Sequence, residues 1–102
     1  MNTEFNEVIH QPLRLRIMAA LHALPPRAAV EFPRLKSLVE ATDGNLGAHL
    51  ATLEQAGYVR IEKDFIDRKP RTRITLTRDG RRALAEHVAH LRHVLEGVGA
   101  PQ

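Results

Sequence analysis

At 102 residues, with 43% hydrophobic and 26% charged side chains, the chain has the makeup of one folded domain with a modest core and little space for a separate ligand-binding domain. It contains no cysteine, which excludes disulfide scaffolds, thiolate metal sites and thiol redox chemistry. The net charge of +3 conceals an asymmetry: residues 60–82 hold nine basic and four acidic side chains, an excess of +5, and the remainder carries −2.

The N-terminal string MNTEFNEVIH lacks the basic and apolar regions of a signal peptide, and no apolar run is long enough to span a bilayer. A cytoplasmic location without membrane contact is therefore expected. Residues 1–10 read as a short arm whose Phe5, Val8 and Ile9 are apolar enough to pack on something. Pro12 suits the first turn of a helix, and Leu13, Ile17, Ala20, Leu21 and Leu24 then recur at helical spacing until Pro25 and Pro26 end it. Ala29 to Phe32 is short and β-prone, an edge strand. Pro33 starts a second helix that turns Leu35, Leu38 and Val39 inward and Arg34 and Lys36 outward, ending near Ala41.

The stretch 42–59, TDGNLGAHLATLEQAGYV, organises the rest. Thr42 is a good N-cap, Asp43 suits the positive end of the helix dipole, and Gly57 supplies the stop. Leu46, Leu50, Leu53 and Gly57 share one stripe, since steps of three or four residues return to the same face at about 100° per residue. Gly44, Ala48, Ala51 and Gln55 fall opposite, flanked by Asn45, Gly47 and Thr52. A solvent face would normally carry Lys, Glu and Arg; small residues instead let a backbone approach another surface.

Two alternating strands follow, Tyr58 to Phe65 and Thr72 to Leu76, joined by a basic IDRKPR loop in which Asp67 suits a turn and Pro70 marks irregular chain. Thr77 caps a last helix, where Leu84, Val88, Leu91, Leu95 and Val98 recur at spacings of four and three. That a/d seam reads either as an inner face or as a dimer interface, and the terminal position of the helix favours the dimer. Residues 97–102, GVGAPQ, should fray.

This order is that of an α+β, mostly α, winged helix-turn-helix: an N-terminal arm (1–10), the winged domain (11–77), and a C-terminal helix with its tail (78–102) used for dimerisation. The strings IHQPLRLRIMAAL, TDGNLGAHLATLEQAGYV, KPRTRITLT and TRDGRRAL resemble the small stand-alone winged-helix transcriptional regulators related to the MarR and ArsR families. The resemblance covers roughly residues 8–95. It implies a bacterial or archaeal regulator, dimeric through terminal helices, that places the 42–56 helix in the major groove of double-stranded DNA. Pro33 departs from the pattern, since related sequences often have a helix-capping Thr or Ser there.

The chemistry of binding can also be read from the residues. An Asn near a helix start bonds an adenine edge bidentately, and Thr contacts a base or a thymine methyl, which makes Asn45 and Thr52 the base readers. Gly44, Gly47 and Ala48 permit close approach, while Thr42, Asp43 and the helix N-terminus they open define a phosphate position. Asn45 has a plainer alternative as a second local cap. His49, at the edge of the core stripe, suits a packed or phosphate-bonded imidazole. Arg68, Lys69, Arg71 and Arg73 suit phosphates or the minor groove and should supply affinity more than specificity.

An enzyme is not expected: Ser37 is the sole serine, and paired carboxylates and a phosphate-cradling glycine loop are missing. A winged helix can instead dock a protein, but a basic wing argues against that. His87, His90 and His93, with Glu86 and Glu96 nearby, raise the alternative of a metal-responsive regulator. Steps of three drift around a helix, however, leaving His87 and His93 about 120° apart, so exposed helix histidines and no cofactor are expected. The sequence names no small-molecule or metal effector.

Overall fold

The computed structural model describes the backbone of residues 6–99 and the side chains of residues 6–97. Phe5, the Val98 side chain and the tail beyond residue 99 lie outside these. The elements are α1 (Glu7–His10), α2 (Pro12–His22), β1 (Ala29–Glu31), α3 (Phe32–Val39), α4 (Asp43–Gln55), β2 (Val59–Ile66), β3 (Lys69–Leu76) and α5 (Arg78–Gly99). The strands form an antiparallel sheet in the order β1-β3-β2.

Each helix is bounded by local chemistry. Asn6 caps α1 by accepting from the Val8 and Ile9 N–H groups, and the Gln11 side chain accepts from Arg14 N–H at 2.8 Å ahead of Pro12. α3 begins at Phe32 with Pro33 in its first turn, and no side chain caps it: Pro33 lacks one of the N–H groups a cap serves, and the cap position holds Glu31 rather than a short Ser, Thr, Asp or Asn. Its end is a left-handed Glu40. α4 closes with Gly57 at φ 83°, Gly57 N–H donating to the Glu54 carbonyl and Tyr58 N–H to that of Leu53, a Schellman motif. One hydroxyl starts α5: Thr77 Oγ1 donates to the Gly57 carbonyl at 2.6 Å and accepts from Gly80 N–H at 2.9 Å. Gly80 is obligatory there, because a Cβ would sit 2.1 Å from the Tyr58 carbonyl oxygen.

The core lies where these elements converge. Ile9, Ile17, Met18, Leu35, Leu46, Leu50, Leu53 and Ile74 are essentially sealed from solvent, joined by Val30, Val39, Val59, Leu76 and Leu84. Truncating one of the leucines to alanine would cost ~2–5 kcal/mol. The arm finds its target here, as Ile9 enters the core and Asn6 Nδ2 donates to the Tyr58 hydroxyl at 2.9 Å.

Several expectations are corrected. Leu38 is 51% exposed, because Leu35 and Val39 already fill the inward stripe of the short α3. α2 ends at His22, before Leu24, and α5 continues through Gly97 to Gly99, since nothing before Pro101 removes a backbone donor. The expected loop at IDRKPR is far shorter: β2 and β3 pair up to Ile66↔Lys69, joined by Asp67 and Arg68 alone at φ 50° and 67°. These dihedrals are those of a type I′ turn, whose twist matches the hairpin. Pro70 is compatible with the strand because the closing pair exchanges the hydrogen bonds, so the next pair, Phe65↔Pro70, is non-hydrogen-bonded. The missing N–H faces the side where β1, which pairs only with Arg73 to Thr75, has ended.

Candidate nucleic-acid interface

α4 is held by its leucine stripe, which leaves the opposite face to solvent. Thr42 is its cap, Oγ1 accepting from the backbone N–H of Asn45 at 3.2 Å, and Asn45 itself, in the first turn, is exposed. Asp43 pairs with Lys36 Nζ at 2.8 Å, tying the start of α4 to α3. Both partners are well exposed, so this contact is worth at most ~1 kcal/mol. Thr52 donates its hydroxyl to the Ala48 carbonyl at 3.3 Å, leaving its methyl and oxygen lone pairs for another partner. Gly44 and Gly47 are exposed, and a Cβ on either would meet no atom within 4 Å. The fold itself therefore gives no reason for glycine at these two sites, and each costs the helix up to ~1 kcal/mol relative to alanine.

His49 flanks this face. Arg14 Nη1 lies 2.9 Å from His49 Nδ1, and since a guanidinium has only donors, Nδ1 accepts and the neutral ring carries its hydrogen on Nε2. Burial, and then the Arg14 charge, hold this imidazole below its ordinary pKa. Arg14 also donates through Nε to the Val8 carbonyl, so one side chain joins α1, α2 and α4. A partner 35 residues away leaves no signal in the sequence.

The wing divides its cations. Arg71 grips Asp64 through Nε at 2.9 Å and a terminal nitrogen at 2.7 Å, and Arg73 reaches the same carboxylate at 3.2 Å. The Arg71 bonds hold the Asp64 carboxyl below its ordinary pKa and raise that of the guanidinium in turn. Register explains the set, because Asp64 is the cross-strand neighbour of Arg71, and Arg73 lies two residues along the same face. Arg68 and Lys69, at the tip, take no acidic partner among the described residues. Between wing and helix runs an open groove of about 620 Å³ lined by Gly47, Ala51, Glu54, Lys63 and Thr72 among others. Lys63 shares the face of Ile61 by strand alternation, and the packing of α4 beside the sheet makes that face a wall of the groove, which periodicity alone does not reveal.

The seam on α5 is split. Leu84 is buried in its own domain and Val88 is half-buried against α2, whereas Val94 is 36% and Leu95 72% exposed, with Leu91 between. His87 corrects the expectation of exposed histidines: it is buried, with Nδ1 accepting from Asn6 N–H at 3.4 Å and its ring edge-on to His10 at 5.7 Å. It lies one turn from Leu84 and Leu91 on the inner stripe, where α1 covers it. Burial, and then His10 and His90, push its pKa down. His93 is exposed, and among the described residues no group of three or more His, Cys, Asp or Glu side chains converges on a metal position.

A capped helix with a bare outer face, beside a two-stranded wing with a cationic tip, defines a winged-helix DNA-binding protein. Residues 13–95 match the winged helix DNA-binding domain family, and the chain belongs to it. It is 37% identical over 84 residues to an uncharacterised protein of Methanocaldococcus jannaschii, covering 82% of this chain and 84% of the relative. A transcriptional regulator homologue from Pyrococcus horikoshii OT3 superposes with a TM-score of 0.82 at 30% identity, over 93% of this chain and 91% of that one. A MarR-family regulator from Silicibacter pomeroyi gives a TM-score of 0.68 at 23% identity, over 90% of this chain and 59% of that one, a likeness of fold alone. The chain is thus a DNA-binding regulator and not an enzyme. No helix among the described residues is long and apolar enough to cross a membrane.

Proposed function

We propose that the protein is a transcriptional regulator that binds a pseudo-palindromic operator as a homodimer. α4 lies in the major groove, with Asn45 and Thr52 on base edges and Gly44, Gly47 and Ala48 against the duplex. The wing, residues 66–72, rests on backbone or minor groove. The observation that carries this reading is the outer face of α4, where two exposed glycines with open space around them weaken the helix unless something approaches closely.

The exposed half of α5 supports the dimer. Leu91, Val94 and Leu95 form an apolar strip beyond the point where α2 covers the helix, and an antiparallel partner would remove it from water. Two α4 helices related by a two-fold axis meet half-sites about one helical turn apart, ~10–10.5 bp or a multiple.

Gel shifts against the DNA upstream of its own gene, with footprinting of the shifted complex, test the function. Paired protected half-sites are expected. Binding to neither operator nor random DNA at low salt would overturn the reading in favour of a protein-docking module. Leu95→Glu tests the dimer, since Leu95 takes no part in the domain core: a folded monomer in sedimentation is expected, and an unchanged dimer removes α5 as the interface.

A further inference from the structure

The end of the wing is apolar as well as basic. Phe65 is 72% exposed and Ile66 46% exposed, and strand alternation sends them to opposite faces of the hairpin immediately before the turn. Pro70 stands across from Phe65 and is itself exposed. Among the described residues neither side chain belongs to the core, which on the Phe65 face ends at Ile61 and Ile74. Arg68 and Lys69 flank them without ion-pair partners among the described residues; the one acidic tip residue, Asp67, fills a turn position that favours Asp and Asn.

The occupant of such a tip must be apolar on two sides and negatively charged beyond. A second copy of the wing fails this requirement, because tip-to-tip contact would oppose Arg68 and Lys69 with their own kind. The minor groove of DNA meets it: its walls are deoxyribose edges and its rims are phosphates, and apolar side chains are known to wedge into it. The distribution of cations agrees, since Arg71 and Arg73 are held back by Asp64 while Arg68 lies in the turn beyond the apolar pair and Lys69 stands across from Ile66.

Resting on the DNA-binding reading above, we propose that Phe65 and Ile66 are minor-groove contact residues, packing on the deoxyribose walls on either side of the tip and giving the wing an apolar, salt-independent share of its affinity. This share is separable from that of the cations. Each phosphate contact contributes about 0.9 to the slope of log affinity against log salt, whereas an apolar contact contributes nothing to it.

The test measures affinity of the full chain for operator and random duplexes over a range of salt. Phe65→Ala and Ile66→Ala should each weaken both DNAs about five- to tenfold with an unchanged slope, Phe65→Leu should retain most of the affinity, and Arg68→Ala should flatten the slope. Hydroxyl-radical footprinting, which reads sugar exposure in the minor groove, should lose protection outside the half-sites in Phe65→Ala. Thermal melts establish that each variant folds. Wild-type affinity in both alanine variants would overturn the proposal while leaving the DNA-binding reading intact. A loss accompanied by a flatter slope would mean that the substitutions merely displace Arg68. A DNA-free self-association that vanishes in Phe65→Ala would assign the tip to a contact between copies. Wild-type protein that binds no DNA at low salt would remove the parent reading itself.

Discussion

α4 and the wing approach their partner with opposite equipment. The outer face of α4 has almost no charge, two glycines and a few short polar side chains, and its cap and ion pair are internal to the fold. The wing is dense in charge, yet Asp64 neutralises part of it, and Arg68 and Lys69, without an acidic partner among the described residues, stand at the tip beside exposed Phe65 and Ile66. Cation number is thus a poor measure of electrostatic reach, because cross-strand register decides which guanidinium meets a carboxylate first. The contrast also separates the tasks: a bare helix discriminates among bases by fit, and a charged tip holds any duplex.

The sharpest way to break this division is Asn45→Ala. If α4 reads bases, the operator should lose ~1–3 kcal/mol and random DNA almost nothing, measured by fluorescence anisotropy on both duplexes. Equal losses on both would make Asn45 a phosphate contact and merge the two regions into one role. Asp64→Ala probes the other side. Releasing Arg71 and Arg73 should strengthen binding to both DNAs at low salt and steepen the salt slope by up to about 0.9 per newly available contact. An unchanged slope would mean that those arginines never reach the backbone.

Gly47→Ala should part stability from function. The helix should gain up to ~1 kcal/mol in a denaturant melt, since the new methyl meets nothing within 4 Å, while operator affinity falls. Undiminished affinity would show that the approach to α4 is not close. The smallest effect on DNA comes from His87, which acts through α1. Its folded pKa lies below the unfolded value near 6.5, so the fold favours the neutral ring. Above about pH 7.5 it carries no penalty; as pH falls through 6.5 the unfolded chain takes up the proton first, and stability declines until the folded ring is also protonated. Among the described residues, the groups that face it include the Asn6 amide, His10 and His90. His49 shifts in the same direction, so His87→Gln should flatten the melting midpoint against pH in part, with the operator-to-random ratio unaltered.

Much of this architecture follows from the sequence alone. The leucine stripe, Thr42 and Gly57 mark the start, inner face and end of α4, because caps and helical periodicity are local properties of a few neighbouring residues. The same holds for Pro12, for Thr77, and for the small outer face that suggested an approaching duplex, whereas the need for Gly80 comes from the distant Tyr58 carbonyl. The family strings lie on these same local signals.

Contacts between residues distant in the chain emerge only when the elements pack. Pro70 and the basic run read as a loop until the pairing of β2 with β3 reduced it to Asp67 and Arg68, since Pro is compatible with a strand only where its missing N–H has no neighbour to serve. Arg71 and Arg73 carry full charge in the sequence and meet Asp64 only through register. His87 is one of three similar histidines until α1 folds over it, and the seam on α5 is uniform until α2 covers its first half. Periodicity states which face of an element is apolar; which neighbour covers that face, and for how many turns, depends on how the whole chain packs.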